Sequence, residues 1–175
     1  DITVEDLKDP RVIDYVKTIE SKSVAYGEST GFFGSWAAEN GPEAIDAFGV
    51  YENVVMDNSL KAKKKWSDSI VAIYPEKGTL LSDHPYVILD AEWVSIWQRF
   101  AATQYLLYLL KPETQDLAQE YGLRPVNLSV PLDEGLFNLE NGVEYKIPVP
   151  ILKPPSGKVL EAMFVAWVKA RNPGV

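Results

Sequence analysis

Cysteine is absent from the 175 residues, and histidine occurs once. Without cysteine there is no thiol nucleophile, no disulfide and no thiolate metal site. The single histidine, His84, leaves little material for a histidine-centred metal site or an acid–base pair. Long apolar runs are missing too. Runs such as Tyr105–Leu110 fall far short of the roughly 20 residues that a membrane-spanning helix needs. Positive charge is scarce: 17 Lys and Arg stand against 25 Asp and Glu, a formal net charge of −8. Such a surface repels phosphate backbones, so nucleic acid is not an expected partner. The one basic run, Lys61–Lys65, reads as a solvated helix end. The chain opens on Asp1 to Val4 with no basic and apolar leader, and it holds no internal repeat and no low-complexity segment.

What is present is apolar and aromatic. Hydrophobic residues make up 46%, with five Trp, nine Tyr and six Phe, enough to exclude disorder and to build a core. Asp9 and Pro10 predict a helix start, with Val12, Val16 and Ile19 as its stripe. Val24–Tyr26 reads as a short strand. Gly27–Gly31 then leads into a helix over Phe32–Ala38, stopped by Asn40 and Gly41. Ile45–Val50 fits a strand or a helix start, and Tyr51–Lys65 reads as helix. Ile70–Tyr74 and Tyr86–Leu89 are β-rich runs between turn residues. Helices are predicted near 95–110 and 112–121, the first with Ile96, Phe100, Leu107 and Leu110 on one face. Pro112 suits the start of the second and Gly122 its stop.

Residues 123–155 hold six prolines and read as an extended wrap over a core. A last helix over 156–172 is capped by Ser156 and ended by Asn172, Pro173 and Gly174. Its expected buried face is Val159, Leu160, Met163, Phe164 and Trp167. The expected class is α/β, a mixed sheet flanked by helices. Ile70–Tyr74 and Tyr86–Leu89 are its central strands, because their apolar continuity suits strands covered on both faces.

The order strand, strand, helix, helix, ending in Tyr121, Gly122, Arg124 and Pro125, resembles the C-terminal half of bacterial extracellular solute-binding proteins. The subgroup is the one that occurs fused to von Willebrand factor A domains. Leu7–Val16 with Ile19–Ser21, Tyr26–Thr30, Tyr51–Glu52, Met56–Asn58 and Val159–Ala162 with Trp167 and Val168 extend the likeness. The resemblance implies a periplasmic-binding-protein-like lobe that captures a small molecule or ion in an interlobe cleft. It further implies no catalysis, no cofactor and an extracytoplasmic location, in the periplasm or at the cell surface. The chain is shorter than such proteins and has no opening strand-and-helix unit. Residues 1–175 are therefore expected to form one partial domain, a second lobe whose partners are a first lobe or a von Willebrand factor A domain. The surface left uncovered would favour self-association. The alternative is a protein-interaction module of the cell envelope with no small ligand.

The expected ligand-binding residues are Tyr26, Ser29, Thr30, Tyr51, Glu52 and Asn53. Ser29 and Thr30 precede a helix, where hydroxyls and free N–H groups suit an anion; the alternative is that they only cap it. Tyr51, Glu52 and Asn53 start the next helix after an expected strand, a place where open α/β sheets bind ligands. Glu52 would accept from a ligand and Tyr51 would stack, or Glu52 is simply a favourable first-turn carboxylate. His84 beside Asp83 reads as a turn. A metal site would need Asp83 and Asp90 to converge on His84, and nothing in the spacing enforces that. Glu5–Asp6 and Asp133–Glu134 read as solvated carboxylates. Trp93, Trp97 and Trp167 are expected in the core, while Trp36 and Trp66 suit a cleft or an interface.

Overall fold

The computed structural model describes residues 2–171, and among them the regular structure is helical, with no β-sheet. The α-helices are α1 (Pro10–Glu20), α2 (Thr30–Asn40), α3 (Glu52–Trp66), α4 (Ile96–Leu109), α5 (Pro112–Gln119) and α6 (Gly157–Arg171). Short 3-10 turns stand at Asp6–Lys8 and Leu139–Asn141. The chain divides into two units, one made of Asp1–Gly27 with Ile151–Val175 and the other of Glu28–Pro150.

In the first unit α1 packs against α6. Asp9 accepts from the Arg11 N–H at 2.9 Å and Pro10 takes the first helical position, where its missing N–H costs nothing. The carbonyl of Ser156 opens α6 by accepting from Val159 and Leu160 at 2.9 and 3.0 Å. The buried face of α6 differs from the expected one: Val159 and Ala170 are buried, while Leu160, Met163 and Phe164 face solvent. Ala162, Ala166 and Ala170 recur every fourth residue, and this small-residue face turns inward instead of the bulky one. Trp167 is half-buried, its indole N–H donating to Glu20 at 2.6 Å. The expected stop at Asn172–Gly174 lies outside the described residues.

In the second unit α2 crosses α3 at Gly34, where a Cβ would stand 2.2 Å from Val54 Cγ1. Only glycine permits that approach. α2 ends at Gly41 (φ 78°), against which the Trp66 ring lies, and the Trp66 indole N–H donates to the Ala38 carbonyl at 2.9 Å. Lys65 donates to the Glu39 carbonyl and carboxylate, so the basic run ends α3 where cations suit the helix dipole. The core joins Val55 of α3 to the fully buried Phe137 and Val143, flanked by Met56, Ile70 and Ala72. Two amides of α5 hold the proline-rich chain in place. Gln119 accepts from Asp133 N–H at 2.8 Å and donates to the Pro131 carbonyl, and Gln115 accepts from Val126 N–H at 2.8 Å.

The expected mixed sheet is therefore corrected to an α class. Ile70–Tyr74 and Tyr86–Leu89 run without regular structure and form no ladder. Ile70, Ala72 and Tyr74 turn inward on the core while Val71 and Ile73 face solvent, so this segment is covered on one side only. The Ala72 N–H donates to the Gly142 carbonyl at 2.7 Å, a single loop contact where a strand would need a row. Val24–Tyr26 is not a strand either. With the sheet goes the basis for the likeness to a solute-binding protein, whose lobes are α/β.

Candidate functional site

The six expected ligand residues do not stand alike. Tyr26 belongs to the first unit and its hydroxyl donates to Glu20. There the Arg171 guanidinium lies 4.1 Å from the Tyr26 ring centroid, and Trp167 meets that ring edge-on at 6.4 Å. These donors hold the Glu20 carboxyl below its ordinary pKa, the Tyr26 hydroxyl foremost and the Trp167 indole next. The other five belong to the second unit. Ser29 caps α2, its Oγ accepting from the Phe32 N–H at 3.1 Å, and Thr30 is the half-buried first residue of that helix. Tyr51 precedes α3 without capping it through its side chain and is exposed. Asn53 is packed against Gly122, where a Cβ would meet Asn53 Cα at 2.7 Å.

Glu52 is engaged. Its two carboxylate oxygens accept from Arg124 Nε at 2.8 Å and Nη2 at 2.9 Å, a bidentate pair, and one also accepts from the Tyr74 hydroxyl. Arg124 donates further to the carbonyls of Tyr145 (2.8 Å) and Glu144 (2.6 Å) and lies 4.7 Å from the centroid of Phe137. Burial first, and the bond to Glu52 second, push the Tyr74 phenol up to about 12. Every strong acceptor of Glu52 has a donor within the chain, so the cluster is a clasp that ties α3 to the segments around 74, 124 and 145. Arg124 and Tyr74 had no local signal pointing to Glu52, since they lie 72 and 22 residues away along the chain.

His84 and Asp83 are exposed, and no group of three His, Asp or Glu residues among the described ones is placed to share a metal ion. Among the described residues no helix is long and apolar enough to cross a membrane.

The surface with most to offer is α4. Ser95 and Gln98 start it with reciprocal bonds: Ser95 Oγ accepts from Gln98 N–H at 3.2 Å, and Gln98 Oε1 accepts from Ser95 N–H at 2.7 Å. The helix buries no residue. Its partly covered side is Arg99, Ala102, Leu106 and Leu109, and Arg99 pairs there with Asp90. The side expected to be inside, with Ile96, Phe100, Leu107 and Leu110, is the one in solvent. Trp97, expected in the core, is 77% exposed, and Trp93 just before the helix is 71% exposed. Tyr105 stands beside Tyr86 at 6.0 Å and Tyr108 at 6.3 Å, ring centroid to centroid, extending the aromatic surface.

No protein-family profile, no curated protein and no solved structure matches the chain.

Proposed function

We propose that the chain is a non-catalytic protein-interaction module that pairs with a second copy of itself through the outward face of α4. The observation that carries this reading is a helix that carries large apolar residues and buries none of them. A helix of that composition belongs inside protein, and leaving Ile96, Trp97, Phe100 and Leu107 in water costs roughly 1.5–3 kcal/mol for each large apolar side chain. A second copy suits the face because the single charge on the helix, Arg99, is already taken by Asp90 on the other side. Two such faces meet without opposing like charges, and two-fold pairing lets one patch serve both partners. Capture of a small solute rested on the resemblance, whereas the exposed helix favours pairing between polypeptides.

Sedimentation velocity over a wide concentration range tests this. The wild-type chain is expected to move from monomer to dimer as concentration rises. Phe100→Asp and Leu107→Asp should hold it monomeric with an unchanged far-ultraviolet circular dichroism spectrum, since both side chains are already exposed. A wild-type chain that stays monomeric at every concentration, or Asp variants that dimerise as well as it does, would overturn the reading.

A further inference from the structure

The first unit holds a feature that the pairing face does not explain. Between the 3-10 turn at Asp6–Lys8, α1 and α6 runs an open groove of about 780 Å³. Its apolar lining comes from Leu7, Ile13, Ala162, Val165 and Ala166. Lysines stand along it: Lys8 and Lys17 from the side of α1, Lys158 and Lys169 from α6, with Glu161 the one acid among the lining residues. In a chain of net charge −8 this concentration of positive charge is a local exception. Lys8 is held by Glu5 at 2.7 Å, whereas Lys17, Lys158 and Lys169 make no ion pair among the described residues.

We infer that this groove docks an amphipathic helix of a partner protein, one whose apolar stripe is flanked by acidic residues. The charge pattern selects this occupant. Lys158 and Lys169 lie near opposite ends of α6, about 16 Å apart at 1.5 Å per residue, so the cations are spread along three turns of helix. An amphipathic small molecule with one anionic head would meet one end and leave the rest of the lysines idle. A helix laid in the groove puts its apolar anchors on the alanine and valine floor, with carboxylates along both shoulders facing lysines of both rims. The groove lies within one unit and is independent of α4.

Fluorescence anisotropy on the full chain tests the docking. The probe is a labelled synthetic peptide of about four helical turns, with a leucine stripe and glutamates on both flanks. Controls are its scrambled form and a version with lysine flanks. The acidic peptide is expected to bind saturably and more tightly than either control, and to weaken as salt rises. The combined variant Lys17→Glu, Lys158→Glu, Lys169→Glu should lose roughly tenfold in affinity for it, the sum of three exposed pairs. The same variant should gain affinity for the lysine-flanked peptide, a reversal that misfolding would not produce. Its melting temperature should match wild type, because the three side chains are exposed. Equal binding of the acidic and scrambled peptides overturns the inference, as does a charge-reversed variant that keeps full affinity. Binding of oleate or of phosphatidylglycerol vesicles by a chain that ignores the acidic peptide overturns it too, and assigns the groove to lipid.

Discussion

Glu52 occupies the first turn of α3, where a carboxylate meets the positive end of the helix, and the sequence alone left it divided between that role and ligand binding. The fold adds Arg124 and Tyr74, neither of which local pattern connects to it. Side-chain exposure of the pair is 21% for Arg124 and 23% for Glu52, so each charge is largely withdrawn from water and depends on the other. Removing one partner leaves the second desolvated without compensation, and Arg124→Met is expected to destabilise by about 3 kcal/mol in chemical denaturation. Tyr74 in the same cluster carries a pH signature. Its ordinary value of 10.0 is pushed up to about 12 here, because burial and Glu52 disfavour the phenolate. Below 10 both states hold the proton and the contribution is complete. As pH rises from 10 towards 12 only the unfolded chain gains by deprotonation, so stability is lost across that window. The wild-type minus Tyr74→Phe difference in unfolding free energy should fall there and stay level below it. Ser59 is the opposite case, a fully buried hydroxyl on α3 whose Oγ has no hydrogen-bond partner among the described residues. Ser59→Ala removes that desolvated group and restores nothing lost, so stability should hold or rise by about 1 kcal/mol. A clear loss would show that Oγ has a partner in solution.

Helix boundaries were legible wherever the signal is local. Asp9 with Pro10, Ser29, and Pro112 each mark a start within one turn, and the helices begin there. The reciprocal Ser95 and Gln98 pair was equally local and would have marked α4. Two things were not legible. Apolar continuity in Ile70–Tyr74 and Tyr86–Leu89 signals burial, but a strand exists only where another strand lies alongside, and adjacency is not written in a local run. The inward side of α4 was also hidden, because its few polar residues, Gln98, Arg99, Thr103 and Gln104, are scattered around the helix and gather into no polar face to mark its outside. Gly34 shows the same limit. A glycine inside a helix ordinarily weakens it, yet here the missing side chain lets α2 and α3 meet. Gly34→Ala would normally favour a helix by up to about 1 kcal/mol. Here the new methyl stands 2.2 Å from Val54 Cγ1, a stiff β-branched side chain, and 3.2 Å from Asn58 Nδ2. The helices must part, and a net loss of about 1–3 kcal/mol is expected in thermal or urea unfolding. A stabilised variant would mean that the crossing is looser than these distances.

For the chain as a whole, charge and apolar surface pull self-pairing in opposite directions. Each copy carries −8, so two copies repel as they approach, over a screening distance of about 30 Å at 0.01 M salt and about 8 Å at 0.15 M. The outward face of α4 contributes no charge to that repulsion and gains by leaving water. Added salt therefore removes the opposing force and leaves the apolar one intact or strengthened, most of all with sulfate. The groove of the first unit should respond the other way, since its lysines attract an acidic helix and salt screens attraction as readily as repulsion. The two surfaces are thus separable by one variable. Sedimentation equilibrium from low to high salt should show self-pairing tightening, while anisotropy with the acidic peptide should show docking weakening over the same range. Phe100→Asp should abolish the first response and leave the second unchanged, and reversal of Lys17, Lys158 and Lys169 should do the converse. Self-pairing that weakens steeply with salt would mean an ionic contact, and α4 would then not be the pairing face.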